Sequence, residues 1–152
     1  MATMLRVQEM EEDPTDAPVV QLSDVLQQVS GLVGGPFRQR GVSLAAIEPS
    51  PSMRVRIDPV HGSRILAQVL NAMRAGLEPG STVTMSARAE GGAVVVDLLP
   101  DREVGEHPDR RDDWLASGHG LWVARQLLDR LGGRLDPAAH GGWAVVLPGP
   151  GA

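Results

Sequence analysis

No cysteine occurs in the 152-residue chain, which excludes disulfides, thiolate metal ligands and thiol nucleophiles. Aromatic residues are almost as scarce: one Phe, three Trp and no Tyr make up 3% of the sequence. A core must therefore be assembled from Val, Leu, Ile, Ala and Met, and 42% hydrophobic residues suffice for one domain of this length. There is no basic excess. The formal net charge of −5 argues against nucleic acid or an anionic membrane as a general partner, because nothing would neutralise the phosphates. A single nucleotide needs only local donors and is not excluded. No apolar run approaches the roughly 20 residues needed to span a bilayer. The absence of Cys is compatible with a reducing compartment, and a cytoplasmic location is the expectation.

Residues 1–18 carry Glu9, Glu11, Glu12, Asp13 and Asp16 and have no apolar stretch of the kind found in a secretory signal. They are predicted to form a flexible, solvated tail; the rival reading is a partner-binding arm. The folded domain is expected over residues 19–148, with 149–152 as a short C-terminal tail.

Within the domain, Val19 to Arg40 has helical periodicity. Leu22, Val25, Leu26, Val29 and Leu32–Val33 form its apolar stripe, Ser23 is the expected N-cap, and Gly34-Gly35-Pro36 is expected to interrupt or end the helix. Val42–Ile47 and Met53–Ile57 read as strands. A second helix is predicted from about Val60 to Gly76, buried through Ile65, Leu66, Val69, Leu70 and Met73. Thr82–Ala89 and Ala93–Leu99 read as strands joined by a Glu90-Gly91-Gly92 turn. Residues 100–117 are polar and charged and are predicted to be a long loop, which in a compact domain is often functional. A third helix is expected from about Gly120 to Leu131, stopped by Gly132-Gly133. Arg134–Leu135 and Trp143–Leu147 close the chain as strands. Paired strands between helices imply an α+β two-layer sandwich, with a mixed, mostly antiparallel sheet covered by helices on one face.

Several stretches carry more than a fold. The predicted second helix contains Asn71-Ala72 and then Arg74, and is introduced by Asp58-Pro59. Gly118-His119-Gly120-Leu121 precedes a helical run that ends Leu-Gly-Gly-Arg-Leu. Glycines ahead of a helix N-terminus would let an anion approach free backbone N–H groups. Asp101-Arg102-Glu103-Val104-Gly105 follows the second strand of the hairpin.

Together these stretches resemble the GHKL (Bergerat-type) ATP-binding domain of histidine kinases, gyrases and their relatives, most nearly the catalytic domain of bacterial sensor histidine kinases, over about Val19 to Pro148. The resemblance implies ATP and Mg²⁺ as cofactors. Asn71 would supply an oxygen ligand to Mg²⁺, suiting a hard cation, and Arg74 would lie near the phosphates. Gly118, His119, Gly120 and Leu121 would form the second glycine box. Asp101, with Gly105 keeping its loop close, would accept the adenine amino group, Asp97 being the rival for that contact. Glu106 to Ser117 would be the ATP lid.

The sequence departs from the family at telling places. His119 stands where the family has a small or apolar residue. Glu103 replaces a glycine and would crowd the adenine. Ala67 occupies the position one helical turn before Asn71, where active members place a residue able to act as acid or base. A positioned general base is worth about 10²–10⁴ in rate, so hydrolysis is expected to be very slow or absent. None of His61, His107, His119 and His140 has a phosphoacceptor context or clusters as a metal site, and with 18 residues ahead of the first helix no dimerisation domain is expected in this sequence. The resulting expectation is a signalling or regulatory module that binds ATP·Mg and a protein partner, a pseudokinase with weak or no catalysis. A response regulator, a histidine-containing domain or a sigma or anti-anti-sigma factor is the expected partner, and a homodimer is possible. The alternatives are a trans-acting anti-sigma-type protein kinase and an interaction domain of the same fold that binds no nucleotide.

Overall fold

The computed structural model describes residues 17–104 and 110–150, with side chains throughout except for residues 110–119. The predicted N-terminal tail, Gly105 and the first residues of the predicted lid lie outside the described residues.

Among the described residues, three α-helices and seven strands follow in order: β1 (Val19–Gln21), α1 (Leu22–Arg40), β2 (Ser43–Ala46), β3 (Arg54–Arg56), α2 (Pro59–Arg74), β4 (Thr82–Glu90), β5 (Ala93–Pro100), α3 (Arg110–Leu131), β6 (Arg134–Pro137) and, after a 3₁₀ turn at Ala139–Gly141, β7 (Trp143–Pro148). The main sheet has strand order β2-β4-β5-β7-β6. Its β2–β4 pair is parallel; the other three pairs are antiparallel. Strands β1 and β3 form a separate two-stranded antiparallel sheet.

Alternation along β5 decides which face of the main sheet is covered. Val94, Val96 and Leu98 join one large cluster with Val145 and Leu147 and with Val25, Phe37, Leu66, Leu70, Ala124 and Leu128 from the three helices. Val95, Ala144 and Val146 face the other way and form a small cluster of their own. The architecture is the two-layer α+β sandwich expected from the sequence, with a mixed, mostly antiparallel sheet and its helices on one side.

Local differences have local causes. Val19–Gln21 is a strand and not the first turn of α1, because it pairs with β3, and the Leu22 N–H already donates to Met53 O at 3.0 Å. Ser23 therefore falls inside the helix; Gln21 is the N-cap and makes no side-chain capping bond. Helix α1 runs through Gly34-Gly35-Pro36 to Arg40 and ends at Gly41, whose φ of 78° is the left-handed conformation of a helix C-cap. An interior proline costs about 3 kcal/mol, but Val33 and Phe37 on either side are buried, and full burial of such side chains returns about 1.5–3 kcal/mol each. The carbonyl that Pro36 cannot bond belongs to Leu32, an exposed residue that water can reach.

Helix α2 follows the sequence pattern closely. Asp58 caps it by accepting from the Val60 N–H at 2.8 Å, Pro59 occupies the first turn, and Ile65, Leu66, Val69, Leu70 and Met73 are all buried. The β4–β5 hairpin turns at Gly91-Gly92, both with positive φ, as a tight two-residue turn requires. Helix α3 starts ten residues before the expected Gly120, so most of the predicted lid from Arg110 onward is helical backbone.

Candidate functional site

Helix α2 buries one face and turns the other outward. Residues 60, 64, 67, 68 and 71 recur at helical spacing on this outward face, opposite the middle of α1. Between them lies an open cleft of about 530 Å³ lined by Gln28, Gly31 and Leu32 of α1 and by Val60, Ser63, Arg64, Ala67, Gln68 and Asn71 of α2. Its volume falls within the roughly 300–1,000 Å³ usual for small-molecule sites. Among the described residues, Arg64 is the only charged member of the lining, and no carboxylate contributes to it.

Asn71 is the unusual member. Its Oδ1 is shut off from solvent and has no hydrogen-bond partner among the described residues. An acceptor left in that state costs about 1–3 kcal/mol, so the fold tolerates a penalty at one defined oxygen. An amide oxygen is also the donor that a hard cation such as Mg²⁺ takes; the chemistry of this residue fits the ion. Four residues earlier, Ala67 lines the same cleft without a functional group.

Ser63 ties the two walls together. Its Oγ lies 2.7 Å from Pro59 O and 2.8 Å from Gln28 Oε1. A hydroxyl has one proton, and the Pro59 carbonyl can only accept. That one proton is shared between an acceptor on α2 and one on α1.

The other sequence-predicted residues are placed differently. Arg74 stands one turn beyond Asn71, outside the cleft lining, with its Nε buried and unpartnered among the described residues. Gly118, His119, Gly120 and Leu121 lie inside α3 and not ahead of its N-terminus, because the helix begins at Arg110. The side chain of His119 lies outside the described residues, as does Gly105. Leu121 packs against the main core. Gly120 abuts α2: a β-carbon there would meet the Gln68 Oε1 at 3.1 Å and the Gln68 carbonyl at 3.4 Å.

Asp101 sits at the end of β5. Its Oδ1 accepts from the Thr82 N–H at 3.0 Å, its own N–H donates to Thr82 O at 2.8 Å, and Arg102 Nε is 3.5 Å from the same carboxylate oxygen. Glu103 is turned to the His140 Nδ1, 3.1 Å away, and both side chains are exposed. Asp97 is ruled out as an adenine contact. It lies on the sheet face opposite the helices, where it accepts from Arg88 Nε at 3.0 Å. Asp97 and Glu90 together raise the Arg88 pKa, chiefly through the Asp97 hydrogen bond.

Sequence reasoning located the α2 wall through Ala67 and Asn71 but missed the α1 wall of Gln28, Gly31 and Leu32. Leu32 was expected in the core and is 57% exposed. The signal was present: Leu32 breaks the i, i+4 series of Val25, Val29, Val33 and Phe37.

No family model and no curated protein matches the sequence. Solved structures do match. The catalytic domain of histidine kinase ThkA superposes with a TM-score of 0.69 at 14% identity, covering 87% of this chain and 96% of that one. The fold is that of a sensor histidine kinase catalytic domain. The cytoplasmic segment of the kinase QseC matches with a TM-score of 0.64 at 16% identity, covering 97% of this chain and 88% of that one. The mycobacterial kinase MprB matches with a TM-score of 0.62 at 22% identity, covering 88% and 97%. At these identities the kinase-domain fold is what is shared, and a fold hosts more than one function. Among the described residues no helix is long and apolar enough to cross a membrane.

Proposed function

We propose that this chain is a nucleotide-binding signalling module of the kinase-domain fold, one that takes a magnesium-bound adenine nucleotide in the α1–α2 cleft and turns it over slowly or not at all. The observation that carries the reading is the buried Asn71 Oδ1, which has no hydrogen-bond partner among the described residues and belongs to a cleft whose described lining holds one cation and no carboxylate. Such a lining favours an anion even in an acidic protein, because local charge decides the potential at short range. The kinase ShkA, of similar fold, has been solved with AMPPNP, which agrees with a triphosphate as the ligand.

Asn71 would hold the ion through Oδ1. When bound, Mg²⁺ supplies charge neutralisation on the phosphates. Within the chain, Gln28 and Gln68 contribute amide groups to the lining and Ser63 fixes Gln28. Ala67 neither accepts nor donates a proton, so nothing at that position activates a nucleophile. Binding without turnover suits a switch better than an engine. The readout would be a protein partner, either a response regulator, a histidine-containing domain or a sigma-type factor; ThkA has itself been solved with the response regulator TrrA. Arg74, Asp101, Gly105 and the Gly118–Leu121 stretch remain proposed nucleotide contacts, supported by the resemblance of their sequences.

The test is calorimetric titration of the full chain with ATP and MgCl₂. Saturable heat that disappears in Asn71→Ala supports the reading; no heat at millimolar nucleotide overturns it. That second outcome is the one expected of an interaction domain without nucleotide, a reading favoured by the Asp101 carboxylate already being engaged by the Thr82 N–H.

A further inference from the structure

Arg64 is the one charge in the described lining of the cleft. Its side chain is exposed and makes no hydrogen bond or ion pair with any described residue. It stands seven residues before Asn71, hence on the same face of α2 and about 10.5 Å away along the helix axis.

Direction follows from topology. Helix α2 ends at Arg74, and a short connection leads to Thr82, whose backbone is bonded to Asp101. Asp101, the proposed adenine contact, lies outside the cleft lining, at the end of β5 that pairs with the start of β4, the strand that follows the C-terminal end of α2; Arg64 lies toward the N-terminal end of α2, with Asn71 between it and Arg74. A nucleotide with its base at the Asp101 end and its inner phosphates at Asn71 extends its phosphate chain toward Arg64. Val60, one turn before Arg64 in the lining, is apolar, and no carboxylate in the described lining competes for the guanidinium.

We infer that Arg64 is a specificity-determining residue that contacts the terminal phosphate and makes the cleft prefer a nucleoside triphosphate over the diphosphate. The inference rests on the nucleotide reading above and deepens it. With Ala67 in place of an acid or base, a site that distinguishes ATP from ADP without consuming ATP reports the ratio of the two. A guanidinium suits the task because it presents several donors to a phosphate group and remains charged at every physiological pH.

The experiment is titration of wild type, Asn71→Ala, Arg64→Ala and Arg64→Lys with ATP and with ADP, each with Mg²⁺. Wild type is expected to bind ATP about tenfold tighter than ADP, the low end for a charge-assisted hydrogen bond at an exposed group. Arg64→Ala should bring that ratio close to one by weakening ATP alone, and Arg64→Lys should restore part of it. The exposure of Arg64 predicts unchanged thermal unfolding in both variants. An unchanged ATP/ADP ratio in Arg64→Ala overturns this inference while leaving the nucleotide site standing. Absence of binding in wild type, or full binding in Asn71→Ala, overturns the underlying reading and this inference with it.

Discussion

Gly120 of α3 and Gln68 of α2 meet so closely that a β-carbon at position 120 would stand 3.1 Å from the Gln68 Oε1. The glycine therefore lets two helices approach beside Asn71, a different use from the phosphate approach expected of a glycine box. Two substitutions separate the uses. In Gly120→Ala the clash is with the free end of a flexible side chain, and alanine gains up to about 1 kcal/mol in a helix interior. Unfolding stability should stay within about 0.5 kcal/mol of wild type, the range of well-tolerated changes. Gly120→Leu must push α3 off α2 and should cost about 1–3 kcal/mol, measured by urea denaturation. Loss of ATP binding in a fully stable Gly120→Ala would show that the glycine serves the ligand and not the packing.

Asp97 and Asp101 lie four residues apart in sequence and serve different surfaces. Asp97→Ala removes the half-buried partner of an exposed Arg88 on the far side of the sheet. Exposed pairs are worth about 0–1 kcal/mol, and MgATP affinity should not change. Asp101→Ala removes the acceptor of the Thr82 N–H, with an expected loss of about 1 kcal/mol for a partly exposed hydrogen bond. If Asp101 also receives the adenine, MgATP affinity falls with it, whereas inorganic triphosphate, which has no base, binds unchanged. Parallel melting curves and titrations of the two variants check both halves.

What could be read in advance divides along physical lines. Helix α2 was legible almost to the residue because Asp58-Pro59 marks its start and five apolar residues repeat at one period. The β4–β5 hairpin was legible from Gly91-Gly92. Strand β1 was not, since three residues that pair with the distant β3 look like a continuation of the α1 pattern. The helical pattern was carried correctly to Arg40, but the break expected at Gly34-Gly35-Pro36 does not occur: Pro36 signals it locally, while Phe37 is held by tertiary burial. The site shows the same split. Ala67 and Asn71 share one helix face and were found by spacing, but Gln28 and Leu32 enter the cleft through the packing of α1 on α2, and no local pattern encodes that neighbour.

Asn71 Oδ1, buried and without a partner among the described residues, is a cost in the free state, and that gives the sign of a stability prediction. Asn71→Ala removes the carbonyl and its desolvation penalty, and alanine is the better helix former. The variant should unfold at the same urea midpoint or a higher one while failing to bind MgATP. Stability lost together with binding would mean that Asn71 serves the packing of α2, and that its position by the cleft is incidental. Asn71→Asp retains an oxygen at the site, and MgATP should raise its melting temperature more than it raises that of Asn71→Ala, since any ligand bound only by the native state stabilises it.

Ala67 offers the most demanding check, because it asks for a gain of function. The residue is half-buried, lines the cleft and lies one turn before Asn71. If nucleotide sits there and hydrolysis is limited by the missing proton acceptor, Ala67→Glu should raise ATP turnover by about 10²-fold, the lower bound for a positioned general base. Ala67→Gln has nearly the same shape and no basic carboxylate, and should leave turnover at the wild-type level. Phosphate release measured at saturating MgATP compares the three proteins directly, and the ATP affinity of each shows whether the larger side chains have simply blocked the cleft. Equal rates in the Glu and Gln variants, with ATP still bound, would place the reacting phosphate out of reach of position 67, and a slow wild-type rate would then need a cause other than the missing carboxylate.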